Sequence, residues 1–171
     1  MENKTLIIQG SSRSHGDTNL IVDHLIGFSK YDHIKLTDYN ISHFDYDHKN
    51  HDDDFIPLME KIIKEYRTLL FITPVYWYSM SGRMKVFFDR ISDLLHYRKD
   101  LGRQLRGKNM AMISVSNAND LISGFNRPFI ESANYLGMNY LGDVHAWVEN
   151  GKINQGAFSS IDDFNRLIFE Q

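Results

Sequence analysis

Three segments of this chain leave little freedom about what it can fold into. Residues 5–8, 68–73 and 109–115 are continuous apolar runs rich in strand-forming side chains, with no polar residue at every second position. A strand patterned this way is buried on both faces, which is the habit of parallel sheets covered by helices. Each run ends in a loop of small polar residues, and a segment of helical periodicity follows each loop. Strand, polar loop and helix therefore repeat along the chain, and the loops stand where an open α/β sheet places its ligand sites, beyond the carboxyl ends of strands.

The remaining elements complete that alternation. Residues 32–36 read as a short second strand near an edge, and residues 140–148 alternate as a fifth. Leu20, Ile21, Leu25 and Phe28 give the first helix its core face, with Gly27 a weak point near its end. Phe55, Leu58, Met59, Ile62, Ile63 and Tyr66 do the same for the second, which Asp53 or Asp54 is expected to cap. Apolar residues at 84, 87, 88, 91, 94 and 95 mark a helix over 84–95. Residues 97–107 read as a basic loop. Residues 125–136 read as a helix with Pro128 in its first turn and Gly137 as its stop. A capping box at Ser160-Ile161-Asp162-Asp163 is expected to open a short last helix. The order predicts a single α/β domain over residues 1–171, a doubly wound five-stranded parallel sheet with strand order 2-1-3-4-5. Its switch point lies between strands one and three.

Two loops carry recognisable chemistry. After the first strand, Gly10-Ser11-Ser12-Arg13-Ser14-His15-Gly16-Asp17-Thr18-Asn19 leads into a helix N-terminus, where free N–H groups and the helix dipole favour an anion. Ser11, Ser12, Ser14 and Thr18 add hydroxyl donors, and Arg13 a fork for phosphate oxygens. The alternative is a hydrophilic turn capped by Asp17 or Thr18. No Gly-Lys-Ser/Thr follows Gly10, and the pattern is not G-x-G-x-x-G, which points away from ATP and from a Rossmann dinucleotide site. After the third strand, Pro74 stiffens a loop with three consecutive aromatics, Tyr76-Trp77-Tyr78, and hydroxyls at Ser79 and Ser81. Such a loop suits a planar heteroaromatic ring; it equally suits core or dimer contacts.

Composition excludes several classes. The 171-residue chain has no cysteine, which rules out disulfides, cysteine nucleophiles, thiolate zinc sites and cysteine-ligated clusters. A net charge of −3 argues against nucleic-acid and basic membrane-surface binding. No secretory leader and no membrane span are read from the sequence. His43, His48 and His51 lie among aspartates in the long polar connection 37–54, but their spacing is irregular, and the connection reads as a solvated loop with no metal. Lys85 and Asp89, four apart, are expected to pair on a helix surface.

Gly10-Ser11-Ser12-Arg13 through Thr18-Asn19, followed by Pro74-Val75-Tyr76-Trp77 and then Gly82, Lys85, Phe88, Asp89 and Arg90, resembles the NAD(P)H-dependent FMN reductase family of flavodoxin-like flavoproteins. The resemblance covers roughly residues 4–148. It implies non-covalent FMN, often in a homodimer with the flavin near the interface. By position, Ser11, Arg13, Thr18 and Asn19 would hold the FMN phosphate, and Ser14 lies in the same loop. Pro74, Val75, Tyr76, Trp77, Tyr78 and Ser79 would wrap the isoalloxazine ring, and Ser116 and Asn117 of the 116–124 loop would touch its other side. Lys85, Asp89 and Arg90 are read as structural. Iron–sulfur members carry cysteines after the second strand; here His43, Phe44, Asp45 and Tyr46 stand there. His15 and Asp17 also depart from the usual phosphate loop.

The expected function is an FMN-dependent oxidoreductase passing hydride from NADPH or NADH to a small acceptor: a quinone, an azo or nitro compound, or free flavin. It would act in ping-pong order as a cytoplasmic homodimer. The cofactor carries the chemistry, so no catalytic side chain is assigned. The alternatives are a flavodoxin-type electron carrier and a flavin-free partner-binding domain. The mild net charge and the basic segment 98–106 argue against the carrier.

Overall fold

The pleat of the sheet sorts the apolar runs onto two helical layers. A computed structural model describes residues 4–13, 15–28 and 31–169. The elements are β1 (Thr5–Gln9), α1 (Asp17–Phe28), β2 (Asp32–Lys35), α2 (Phe55–Glu65), β3 (Thr68–Tyr76), β4 (Ser79–Met80), α3 (Gly82–Arg90), α4 (Asp93–His96), α5 (Lys99–Gly102), β5 (Asn109–Ser116), α6 (Arg127–Leu136), β6 (Asn139–Glu149), β7 (Lys152–Ile153) and α7 (Gln155–Phe169). Leu6, Ile8, Leu69, Phe71, Met110 and Met112 pack with α2 to α6 on one face. Their chain neighbours Ile7, Leu70, Ile72, Ala111 and Ile113 pack with α1 and α7 on the other. Successive side chains alternate faces, so an unbroken apolar run serves two cores at once. Ser14 and the Phe28 side chain, both singled out from sequence, lie outside the described residues.

The sheet runs β2-β1-β3-β5-β6-β7, with β4 paired to β3. The pairs β2/β1, β1/β3, β3/β5 and β5/β6 are parallel. Counted among themselves, these five strands stand in the expected order. The sheet nevertheless has seven strands rather than five, because β4 and β7 add antiparallel edges to β3 and β6. Each added strand has two residues, too few for any periodicity to register.

Helix boundaries differ from expectation at several points, and α6 starts at Arg127 rather than at Phe125. The helix expected over 84–95 breaks at Ile91-Ser92, whose N–H groups bond three residues back, to Phe88 and Asp89, and this tighter turn leads into α4. The expected basic loop 97–107 contains the short helix α5 and a 3₁₀ turn. The last helix starts at Gln155, so Ser160 is inside it and opens nothing. Asn154 caps it instead, its Oδ1 accepting the Gly156 N–H at 2.9 Å. The second helix is capped as read: Asp53 Oδ1 accepts the Phe55 N–H at 3.0 Å. Gly137, at φ +69°, stops α6.

The connection 37–54 departs from a solvated loop at its most consequential point. Arg90, at the end of α3, is fully buried. Its Nη1 and Nη2 donate to Asp53, its Nε donates to Asp93 at 2.7 Å, and Nη1 also reaches the Ser42 carbonyl at 3.1 Å. The guanidinium carbon lies 4.8 Å from the centre of the Phe55 ring. Burial alone would raise the Asp53 carboxyl, but hydrogen bonds from Arg90 and from the Ser42 and Phe55 amides outweigh it and hold the group below its usual range. His48 adds a 2.9 Å bond from Nδ1 to Asp93. Lys85 and Asp89 pair at 2.5 Å on the surface, as expected. Arg90, by contrast, is the internal tie between the connection and the helices.

Between β3 and β4 the aromatic stretch forms a hairpin, with Tyr76 opposite Ser79. Its two central residues, Trp77 and Tyr78, have φ +49° and +63°. A two-residue hairpin of this hand needs two left-handed residues, which is why Asn-Gly is its usual sequence. Bulky L-residues there cost about 1–2 kcal/mol each.

Two outcomes are expected. Arg90→Met leaves Asp53 and Asp93 buried without their cation and destabilises the fold by about 3–5 kcal/mol, read by urea unfolding at pH 7. A lowered carboxyl stabilises the fold fully above about pH 4 and loses that contribution as pH falls through its folded value. The pH dependence of stability in acid is therefore shallower in Arg90→Met than in the parent. The double change Trp77→Asn with Tyr78→Gly relieves the hairpin and raises unfolding stability by about 1–3 kcal/mol; unchanged stability would show that the turn stores no strain.

Candidate functional site

The parallel order brings the carboxyl ends of β1, β3 and β5 side by side, with Gln9 level with Ile72 and Pro74 level with Val115. The loops beyond them enclose a cleft of about 290 Å³. Ser11, Arg13, Gly16, Asp17 and Thr18 line it from the first loop and the start of α1. Pro74, Val75 and Tyr76 line it from the end of β3, and Val115, Ser116 and Asn117 from the end of β5.

A locked junction beneath the cleft sets its shape. The Gly10 N–H donates to the Ile72 carbonyl at 2.9 Å, joining the ends of β1 and β3. Ser81 donates its hydroxyl to the Gly10 carbonyl, and its Oγ accepts the Met84 N–H at 3.1 Å, capping α3. The Ser81 N–H in turn donates to Thr73 Oγ1 at 3.0 Å. A Cβ on Gly10 would come within 2.8 Å of Met84, so this approach needs glycine. Ser11 turns inward and shapes its own loop, its Oγ accepting the Arg13 N–H at 3.2 Å. Arg13 is exposed, while Thr18, at the start of α1, is buried.

The opposite wall rests on β6. His145 is level with Ser114 across the sheet. Its Nε2 lies 3.0 Å from the Ala118 carbonyl, which can only accept, so Nε2 carries the hydrogen and Nδ1 accepts the Ser114 hydroxyl at 2.9 Å. Nε2 also lies 3.2 Å from Ser116 Oγ, whose hydroxyl donates to the Ala118 carbonyl at 2.7 Å. The backbone turn that carries Ser116 and Asn117 is thus fixed from behind by an imidazole stacked on Trp147.

Of the residues singled out from sequence, Ser11, Arg13, Thr18, Pro74, Val75, Tyr76, Ser116 and Asn117 share this cleft. Asn19 stands outside its lining. Its Oδ1 accepts Gln9 Nε2 at 3.0 Å, and Gln9 Oε1 accepts His33 Nε2 at 2.8 Å. Burial first, and then Lys35, hold the His33 imidazole below its ordinary value of 6.5. Trp77, Tyr78 and Ser79 project at the hairpin rim and do not line the cleft; Trp77 is 93% exposed. Most of the 116–124 loop also lies away from it. Sequence reading missed Gly16, Asp17 and Val115 as wall residues, and His145 as the support of the turn at Ser116. Val115 was legible as the end of its apolar run, but the register that sets His145 against Ser114 leaves no trace in a single sequence.

The donor set suits an elongated anion with a flat ring. Arg13 and the first turn of α1 offer charge-assisted and backbone donors at one end. The stiff Pro74–Tyr76 strand end and the neighbouring Ser116 and Asn117 line the rest. FMN has this shape and charge, and Asp17 is the one acidic group among the described residues that line the cleft.

Comparison with known proteins agrees. The Bacillus subtilis (strain 168) protein YwqN, which bears the name of an NAD(P)H-dependent FMN-containing oxidoreductase, is 30% identical over 153 residues, 82% of this chain and 83% of its own. The solved structure of a Trp repressor binding protein from Bacillus subtilis superposes with a TM-score of 0.74 at 26% identity, over 96% of this chain and 97% of that one. The general stress protein 14 of Treponema denticola, solved in complex with FMN, shares the fold with a TM-score of 0.59 at 16% identity, over 98% and 96% of the two chains. The family model for NADPH-dependent FMN reductase matches residues 3–152, and the chain belongs to that family of flavodoxin-like, FMN-dependent NAD(P)H oxidoreductases.

Proposed function

We propose that the chain acts as one FMN-binding domain over residues 1–171. In it Arg13, the Ser11-shaped loop and the first turn of α1 at Thr18 hold the FMN phosphate. Pro74, Val75 and Tyr76 on one side and Ser116 and Asn117 on the other flank the isoalloxazine ring. Bound FMN supplies the redox chemistry, taking hydride from NADPH or NADH and handing electrons to a small acceptor such as a quinone, an azo or nitro compound, or free flavin. The observation that carries this reading is the meeting of a cationic, donor-rich loop and a stiff aromatic strand end in one cleft at the sheet's switch point.

The chain's own part is to bind and orient. Trp77 and Tyr78, held at the rim in a strained turn, shape the face on which donor and acceptor lie in turn, which gives ping-pong kinetics. Strain in this exposed aromatic turn beside the cleft supports a functional rather than a packing role. Asn19, tied to Gln9, acts from behind the phosphate loop. We place the protein in the cytoplasm as a homodimer. Among the described residues, no helix is long and apolar enough to cross a membrane. The apolar crease between Phe88, Ile91, Leu95 and Leu136, rimmed by Tyr135 at 75% exposure, supports a self-association surface.

The test is an anaerobic absorbance spectrum before and after NADPH or NADH. A flavin spectrum that bleaches within the mixing time agrees with the reading. Protein that stays colourless after reconstitution with FMN refutes it. Arg13→Ala, which removes a charge-assisted contact of about 1.5–3 kcal/mol, weakens FMN binding roughly ten- to hundredfold in a fluorescence titration.

A further inference from the structure

Tyr76 is a wall of two clefts. On the side away from the flavin cleft lies a second and larger one, about 410 Å³, between the first loop, the connection after β2 and the start of α3. Its lining is largely apolar, with Leu36, Ile41 and Val86 beside two aromatic rings, Tyr39 and Tyr76. Arg83 and His43 supply the polar contacts together with Ser12, and none of the described residues lining it is acidic. Arg83 is exposed and forms none of the ion pairs found among the described residues, while neighbouring Lys85 is taken by Asp89. Gly82 leaves the first turn of α3 uncovered: a Cβ there would meet nothing within 4 Å. Size, apolar walls and a few convergent donors are the marks of a small-molecule site.

We infer that this second cleft binds a planar aromatic group carrying an anionic substituent, the ring against Tyr39 and Tyr76 and the anion on Arg83. The charge pattern selects the anion: a guanidinium fork and a helix N-terminal turn face an opening lined by no carboxylate. The aromatic and aliphatic walls select a flat ring over a flexible chain. Two sources have this chemistry. One is the 2′-phosphorylated adenosine end of NADPH; the other is an acidic aromatic electron acceptor. The assignment of either source rests on the flavin reading of the adjoining cleft, but the binding chemistry does not.

Calorimetric titration of the full chain, with and without FMN, tests it. The probes are adenosine 2′-monophosphate and naphthalene-2-sulfonate, with adenosine and 2-naphthol as uncharged counterparts. At least one charged probe should bind, at least tenfold more tightly than its counterpart. Arg83→Glu should weaken it by tenfold or more, Arg83→Lys should restore part of the loss, and Ile41→Trp, which fills the cleft, should abolish binding. Absence of binding by both charged probes, or binding indifferent to Arg83→Glu, overturns the inference. FMN uptake, read in the same samples by absorbance, reports separately on the flavin cleft, so the two readings fail independently. In turnover, a preference for NADPH over NADH that collapses in Arg83→Glu identifies the dinucleotide. A KM raised for anthraquinone-2-sulfonate but not for menadione, with donor preference intact, identifies the acceptor.

Discussion

A single buried guanidinium ties the long connection after β2 to α2, α3 and α4. Arg90 reaches Asp53 and Ser42 in the long connection, Asp93 at the start of α4, and the face of Phe55 in α2. Asp93 is three residues from Arg90, but Ser42 and Asp53 lie 48 and 37 residues before it. Ion pairs of this kind are poor evidence for stability, since an apolar cluster of similar volume often serves as well. Their distinctive consequence is directional: a fork with fixed geometry accepts one path of the connection and rejects others. That path sets where Leu36, Tyr39, Ile41 and His43 stand. The second cleft is therefore a product of α3's buried end as much as of its exposed beginning.

The cleft proposed for the flavin depends on a different lock. Gly10, Thr73 and Ser81 join the ends of β1 and β3 to the cap of α3, through bonds buried beneath the lining. On this rigid base the hairpin tip is the strained member, with two large aromatics in a backbone region that glycine or asparagine would occupy at less cost. Rigidity below and strain at the rim is the distribution expected when a surface must present particular side chains, since scaffold bonds can hold a turn that its own residues disfavour.

How much of this was legible follows from the length scale of each signal. Unbroken runs such as 109–115 fixed a doubly covered parallel sheet, because burial on both faces is written into consecutive residues. The cleft residues Ser11, Arg13, Pro74 and Ser116 were legible because the site hugs the ends of those runs. Ser79–Met80 and Lys152–Ile153 were not, being shorter than one period of any pattern. Ser160 looked like a cap because its spacing to Asp163 fits, yet Asn154, five residues after Glu149, had already turned the chain into helix. Arg90 read as a structural residue of α3; only its meeting with Asp53, 37 residues earlier, shows what it ties together. His145 was silent for the same reason, since its partner Ser114 is 31 residues away.

The two clefts have a common origin in topology. α1 and α3 each follow the carboxyl ends of adjacent strands, β1 through the loop 10–16 and β3 through the hairpin. Each therefore presents its positive end at the same edge of the sheet. Arg13 precedes the first of these helix starts and Arg83 belongs to the second. Tyr76, at the end of β3, stands between the openings and lines both. An anion-friendly position on either side of one aromatic residue is thus a consequence of placing two helix N-termini around a central strand. The sequence differences within the loops then distinguish the openings: serines, a threonine and glycine line the one proposed for the flavin, tyrosines and isoleucine the other.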